Sequence, residues 1–304
     1  MSRHGTQTGR RPWRALLRGL LAGCLLLLFV LALRSGLFRG ISGGRLLPLP
    51  ADTGGFALHM IDVGQGQALL LTCGGESAVI DTGPPSAAQS TADYVLDRGV
   101  GRLRYLFVTH PHSDHCGGAG TLLEQVGADT LVIPEYLSAE AALATAGDWV
   151  GRTGTQVAVT HTGEQFALGE AVITVLHPPL DNGIDDMNQL SLVLLVEYSG
   201  RRLLITGDIS GEVEQSLLPL GHVDVLQVAH HGSGASSCRE FLEDLSPEHA
   251  LISCGRNNDY GHPHTAVLER LEAMGARIWR TDEQGSIVVR IREGQITVET
   301  EYDS

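Results

Sequence analysis

The feature that most constrains this chain is the run Thr109-His110-Pro111-His112-Ser113-Asp114-His115, which follows the apolar stretch Tyr105 to Val108 and precedes Gly117-Gly118. The apolar stretch reads as a strand, so three imidazoles and a carboxylate fall on one tight loop at a strand's C-terminal end. Side chains of these types at that spacing point to metal ligation. Imidazole and carboxylate suit zinc, manganese or iron, and no cysteine pair lies nearby to make the site a structural zinc finger.

Strands and helices alternate around this run. Strands are expected within Phe56 to Val63, Ala68 to Leu71, Ala78 to Ile80, Tyr105 to Val108, Thr130 to Ile133, Val157 to Val159 and Val172 to Leu176. Helices are expected over Ala88 to Leu96, Ala119 to Val126 and Ala139 to Trp149. The second half adds strands over Ser191 to Glu197, Arg202 to Thr206, Asp224 to Val228, Ala250 to Ser253, near Ile278, and Ile287 to Ile291. Its helices fall over Glu212 to Leu218, Ser237 to Leu245 and Ala266 to Met274. Strand clusters separated by helices predict an α/β (α+β) chain folded as a four-layer αββα sandwich, two sheets face to face with helices outside.

All 21 basic residues are arginines, which excludes mechanisms that need a lysine, such as a Schiff base or a phosphate-loop lysine. Eight arginines and no acid precede Ala51, so the remaining 13 arginines face 35 acids, a net of −22. That charge repels phosphate backbones, which are normally bound through Lys and Arg. The five cysteines, Cys24, Cys73, Cys116, Cys238 and Cys254, are odd in number and lack CxxC spacing. They read as buried free thiols.

Arg3, Arg10, Arg11, Arg14 and Arg18 precede the uncharged apolar run Gly19 to Leu33. Fifteen residues of helix span about 22 Å against a hydrocarbon core of roughly 30 Å. Snorkelling of Arg18 and Arg34, with Leu37 and Phe38, closes the difference. Leu33-Arg34-Ser35-Gly36 offers no good cleavage site, so an uncleaved anchor is expected, with secretion after signal cleavage as the alternative. Five arginines before the run against three after it (Arg34, Arg39, Arg45) favour a cytoplasmic N-terminus and a catalytic domain on the extracytoplasmic side. The expected organisation is a basic tail over residues 1–18, one transmembrane helix over 19–38, a linker over 39–55 and a folded domain over 56–304.

The HxHxDH pattern after a strand resembles the metal-binding signature of metallo-β-lactamase-fold hydrolases, and Ile80-Asp81-Thr82-Gly83 is similar to that family's earlier DTG element. Four further segments extend the likeness: Asp62-Val63-Gly64-Gln65-Gly66, Thr206-Gly207-Asp208, His230-His231-Gly232-Ser233 and Tyr260-Gly261-His262-Pro263. Together, from about Phe56 to Ile291, they resemble the hydrolase domain of the ComEC competence family. The resemblance implies a metallo-β-lactamase sandwich holding one or two divalent ions, zinc or manganese. It implies His110 and His112 on one ion, Asp114 and His115 on a second, Asp208 bridging them, and a bridging hydroxide as nucleophile.

At least one of His230, His231 and His262 is expected to complete the metal shell and another to protonate the leaving group. The sequence does not apportion these roles. His230 and His262 stand as ligand candidates, and Asp114, His230 and His231 as catalytic candidates. Asp81 is expected to orient a ligating histidine instead of binding metal itself. Many family members carry a ligating histidine before TGD, where this chain has Met187-Asn188-Gln189-Leu190-Ser191. Asn188, a weak neutral ligand at best, is placed beside the metal shell, and His177 in a structural turn before Pro178-Pro179.

The resemblance implies a phosphodiesterase or nuclease of the ComEC type, acting outside the cytoplasm on single-stranded DNA or another phosphodiester. A separate channel protein is the implied partner, since that family's channel-forming domain has no counterpart in the sequence. The net charge pulls against polynucleotide binding unless the arginines converge on the cleft. Two alternatives stand beside this: hydrolysis of a small ester, thioester or lactam by the same centre, and a non-catalytic metal or nucleic-acid binding module. Arg256, Asn257 and Asn258 are expected to contact substrate.

Overall fold

Side chains alternate across a strand, and in this chain the alternation sorts three separate cores. A computed structural model describes residues 54–136, 149–179 and 186–302. The expected anchor over 19–38 and most of the helix expected over Ala139 to Trp149 lie outside them. Among the described residues no helix is long and apolar enough to cross a membrane.

The first half runs β1 (Phe56–Met60), β2 (Ala68–Cys73), β3 (Glu76–Thr82), α1 (Ala88–Asp97), β4 (Leu103–Phe107), α2 (Ser113–Cys116), α3 (Ala119–Gln125), β5 (Ala128–Pro134), α4 (Trp149–Thr153) and β6 (Gln156–Thr160). There follow β7 (Gln165–Leu168), β8 (Ala171–His177), β9 (Val193–Tyr198), β10 (Arg201–Ile205), α5 (Gly211–Ser216), β11 (Val225–Gln227), α6 (Arg239–Leu245) and β12 (His249–Ile252). The chain closes with α7 (Thr265–Ala273), β13 (Arg277–Arg280), α8 (Thr281–Gln284), β14 (Ile287–Arg292) and β15 (Gln295–Thr300). One sheet has the order β15-β14-β1-β2-β3-β4-β5-β6 and the other β13-β12-β11-β10-β9-β8-β7. Pairing is parallel from β3 to β6 and from β10 to β13, and antiparallel elsewhere.

Phe56, Leu58, Met60, Leu69, Leu71 and Phe107 of the first sheet meet Ile173, Val175, Leu194, Leu203 and Ile205 of the second in a core between the sheets. The opposite faces of the same strands cover helices. Ala68, Leu70, Val79 and Leu106 pack with Ala92, Val95, Leu122 and Leu123 of α1 and α3. Leu204, Leu226 and Ala250 pack with Val213, Phe241, Leu242, Val267 and Leu271 of α5, α6 and α7. Three apolar cores between four layers are what the αββα sandwich requires.

The structure adds two strands that the sequence pattern did not predict. Both β7 and β15 alternate buried or half-buried with exposed residues at sheet edges, so each offers only a few apolar positions to read. The metal-ligand run also departs from a simple loop, since Asp114 and His115 lie on the single helical turn α2. Of the cysteines, Cys73, Cys116 and Cys254 are buried free thiols, whereas Cys238 is only half-buried, and Cys24 lies outside the described residues.

His59 points away from the central core, fully buried, with Nδ1 3.1 Å from the Tyr94 hydroxyl on α1. Burial, reinforced by Arg98 and opposed by Glu299, lowers its pKa to about 3. The unfolded chain therefore takes up a proton at this residue between about pH 6.5 and 3 that the folded chain refuses, and stability falls as pH falls through that window. At pH 5 the residue alone accounts for about 2 kcal/mol. Denaturant titrations at pH 7 and pH 5 should show a smaller pH-dependent loss in His59→Gln than in the wild type, whatever the variant's absolute stability. Equal losses would show that another group sets the slope.

Candidate metal centre

The parallel strands of both sheets end at one place. Asp81 lies at the end of β3, His110 just beyond β4, Asp208 beyond β10, His230 and His231 beyond β11, and Ser253 beyond β12. The backbone bends sharply there: Asp81, His230 and His231 have φ of +58°, +51° and +56°. Non-glycine residues held in the left-handed region carry of order 1 kcal/mol or more of strain each, and such residues cluster at functional sites. Two glycines permit close approaches. A Cβ on Gly66 would lie 2.4 Å from the Asp114 carbonyl, which accepts the Gln67 amide at 3.0 Å. A Cβ on Gly207 would lie 2.7 Å from that of Ser191, the contact that brings the Asp208 amide within 3.1 Å of the Ser191 hydroxyl.

Three buried imidazoles each have one nitrogen engaged and the other aimed inward. His115 Nδ1 donates to Asp81 Oδ2 at 2.7 Å, and His231 Nδ1 donates to the Ser253 carbonyl at 2.8 Å. His110 Nδ1 lies 3.2 Å from Ser191 Oγ and 3.1 Å from Thr109 Oγ1. Ser191 Oγ donates to the Asn188 carbonyl at 2.7 Å and Thr109 Oγ1 to Asp81 Oδ2 at 2.7 Å, so both hydroxyls present lone pairs to the ring. This is how ligating histidines are held: the outer nitrogen is fixed as a donor and the inner lone pair is left for a metal.

The inner atoms converge. His115 Nε2 is 3.2 Å from Asp208 Oδ1, and His231 Nε2 is 3.4 Å from Asp114 Oδ2 and 3.6 Å from Asp208 Oδ2. Ligand atoms of His110, His115 and Asp208 lie within 4.8 Å of one another, as do those of Asp114, His115 and His231. His115 Nε2, His231 Nε2 and Asp208 Oδ1 are buried without a hydrogen-bond partner. Buried polar atoms are rarely left so, and a divalent cation is the group that would satisfy a nitrogen lone pair and a carboxylate oxygen at once. The residues present therefore fit the metal that their chemistry implies.

Electrostatics agrees. Burial opposes a charge on His115, yet Asp208 and Asp81 flank the ring and raise its pKa well above the ordinary value. Burial likewise works against a charge on Asp208, but His115 and His231 hold it well below the usual carboxylate range. Burial opposes the charge on Asp114, but His231, with Nε2 3.4 Å away, and the charge of His115 bring its pKa down to about 2. Burial, then the charge of His115, lowers His110 to about 2. The cluster is built to hold positive charge between its carboxylates.

The geometry does not divide His110 and His112 cleanly from Asp114 and His115, because His115 belongs to both ligand groups. His112 is exposed, with Nδ1 3.1 Å from His110 Nε2, close to the separation of about 3.4 Å between two nitrogens on one tetrahedral zinc. His230 is 30% exposed with Nε2 3.8 Å from Asp208 Oδ2. His262 stands one ring farther out, 5.7 Å from the ring of His230 and 6.2 Å from that of His231, with a buried Nδ1 that has no partner. Asn188 Oδ1 is also buried without a partner. His177 Nε2 donates to the Gln189 carbonyl at 2.8 Å, within the 187–191 turn. Arg256 and Asn257 are exposed, whereas Asn258 is spent on its own loop.

Gln67, Thr109, Ser191 and Ser253 are of residue types that do not mark a metal site, yet they hold its parts in place. Gln67 Nε2 donates to Asp81 Oδ2 at 2.9 Å, the Thr109 amide to Asp81 Oδ1 at 2.8 Å, and Ser253 Oγ to the Gly66 carbonyl at 2.7 Å. Thr109 and Ser191 adjoin recognised motifs, which is the only signal the sequence carries for them. A third cluster, His222, Asp224 and Glu248, is mostly exposed, and Asp224 is committed to Arg201 Nη1 at 2.6 Å and the Arg202 amide at 2.7 Å.

The model of the metallo-beta-lactamase superfamily matches residues 61–256, a span that contains every residue of both ligand groups. The chain belongs to this superfamily. It is 32% identical to ComE operon protein 3 of Bacillus subtilis over 270 residues, 81% of this chain and 35% of that protein. It is 34% identical to competence protein ComA of Neisseria gonorrhoeae over 246 residues, 79% of this chain and 33% of that one. The chain thus spans about a third of the length of these curated relatives. Among solved structures, the metallo-beta-lactamase fold protein YhfI of Bacillus subtilis aligns with a TM-score of 0.53 at 15% identity, covering 74% of this chain and 96% of that one. The superfamily chain is ComEC-like in sequence and carries a candidate divalent-metal site.

Proposed function

We propose that the chain is a metal-dependent phosphodiesterase acting on nucleic-acid-type diesters outside the cytoplasm. The observation that carries this reading is the convergence of buried, unpartnered donor atoms from His115, His231 and Asp208, with Asp114 and His110 beside them. These five side chains, with His112 next to His110, would hold one or two ions. Zinc or manganese bound there supplies Lewis-acid activation of water and neutralises charge that develops on a diester. The protein's own part is to fix those ligands through Asp81, Thr109, Ser191 and Ser253, and to bury the inner face of the site. His230, with Nε2 3.8 Å from Asp208 Oδ2 and 30% of the side chain exposed, would hand a proton to a departing oxygen.

The competence proteins among the relatives support a nucleic-acid diester as substrate, and DNA uptake with a separate channel partner follows from the same likeness. Extracytoplasmic action rests on the apolar run after the N-terminal arginines and on the arginine asymmetry across it. The test is hydrolysis by the full chain with Zn or Mn, comparing single-stranded DNA, bis-p-nitrophenyl phosphate, a thioester and a lactam. Metal-dependent turnover of the diesters is expected. Turnover confined to the thioester or lactam would move the chain to acyl hydrolysis, and bound metal with no turnover would make it a binding module.

A further inference from the structure

One side chain builds the loop that overhangs the metal centre. Asn258 Nδ2 donates to the carbonyls of Gly255 at 2.9 Å and His262 at 2.6 Å, while its Oδ1 accepts the amides of Tyr260 at 3.2 Å and His262 at 3.0 Å. The loop so fixed holds Tyr260 out into solvent, 66% exposed, where a large aromatic side chain gains nothing from burial. The inner face of Tyr260 lies on His262, with ring centroids 5.6 Å apart and planes at 22°. His262 in turn stacks on His231, at 6.2 Å and 30°, and His231 Nε2 reaches Asp114 and Asp208. A ladder of three rings therefore runs from solvent to the metal-ligating carboxylates, and its outer rung has a free face.

We propose that Tyr260 is the stacking platform for an aromatic base carried by the substrate, beside the diester that enters the metal centre. The inference rests on the phosphodiesterase reading and names what holds the substrate there. Charge offers little for that task. The chain has no lysine and a net of −14, and the arginine of this loop, Arg256, already donates through Nε to the Asp282 carbonyl at 3.1 Å. Phosphate contacts normally supply most nucleic-acid affinity, so an acidic domain needs a contribution that does not depend on charge. Stacking of a base on an exposed aromatic ring is such a contribution, tolerant of base identity because every base has a π-face. The base could belong to a strand or to a free nucleotide, and the shared chemistry is the planar aromatic ring next to a phosphodiester.

The experiment measures binding without turnover. Two probes carry 2-aminopurine, a single strand of about 12 nucleotides and a dinucleotide, both joined by phosphorothioates that resist hydrolysis, and each is titrated against the Mn-loaded full chain. Stacking on tyrosine quenches 2-aminopurine fluorescence. Wild type should quench, Tyr260→Ala should bind about tenfold more weakly with the quench lost, and Tyr260→Phe should recover both. Quenching of the strand alone identifies a polymer as the source of the base, and quenching of both probes shows that a nucleotide suffices. Equal affinity and quench in Tyr260→Ala, or no quench by the wild type, overturns the platform. Because no bond is cleaved, that failure is separate from failure of the phosphodiesterase, which the substrate panel decides.

Discussion

Asp208→Ala should abolish metal-dependent hydrolysis, lowering kcat/KM by roughly 10³-fold or more, while the chain stays folded. Asp208 is 3% exposed and, among the described residues, is the one carboxylate that faces His110, His115, His230 and His231 together, at 4.0, 3.2, 3.8 and 3.6 Å. Removing it takes the anionic oxygens out of the middle of the ligand set, so the histidines that remain hold cations against one another's charge. In the metal-free fold Asp208 pairs with His115 and His231, but Ala also removes the cost of burying the carboxylate and His115 keeps Asp81 as its partner, so the two effects largely offset. Functional residues of this kind are often neutral or unfavourable for stability. Melting in chelator should therefore shift by only a few degrees, roughly the effect of 1 kcal/mol in a domain of this size. The rise in melting temperature on adding metal, about 2.7 kcal/mol at 100 times Kd in the wild type, should vanish. Full activity in Asp208→Ala, or an undiminished thermal response to metal, would remove Asp208 from the centre.

How far the sequence could be read depended on whether the chemistry was carried by a distinctive side chain. The fold was legible because its strands are apolar on both faces: Leu69 and Leu71 enter one core and Ala68 and Leu70 another, so β2 reads as an unbroken run. Strands with one wet face, such as β15, carried too few apolar positions to be seen. Histidine and aspartate are uncommon enough that His110, Asp114, His115 and Asp208 stood out at fixed spacings. The groups that fix them did not. Ser191 lies in the stretch before the Thr206-Gly207-Asp208 element, and it bonds toward His110 and receives the Asp208 amide. No rule of residue type distinguishes that serine from any other at a strand's start. Likewise Asn258 was legible only as a candidate substrate contact, whereas its four hydrogen bonds are spent within the loop that displays Tyr260. Contacts across more than 80 residues of chain, such as Ser191 with His110, exist only once both sheets have formed.

Asp81→Asn is the complementary experiment, because it should damage metal binding and the fold together. Asn tolerates the left-handed backbone at φ +58°, and its size matches, so the substitution isolates charge and hydrogen bonding. Asp81 is fully buried and accepts four donors: the Thr109 amide at Oδ1, and Gln67 Nε2, Thr109 Oγ1 and His115 Nδ1 at Oδ2. An amide group must set its own NH₂ against one of these sets. Placed at Oδ1 it meets the Thr109 N–H, and at Oδ2 it meets Gln67 and His115. In the second arrangement His115 is driven to carry its proton on Nε2, the atom that faces Asp208 and would ligate the metal. Metal affinity should fall about 10- to 100-fold, the usual cost of losing the partner of a ligating histidine. The buried donor clash should cost about 1–3 kcal/mol, seen as a lower melting temperature with chelator present. That last reading separates the two carboxylates, since Asp208→Ala leaves the metal-free melting temperature nearly in place. A normal melting temperature and metal affinity in Asp81→Asn would show that His115 is oriented by its surroundings without Asp81.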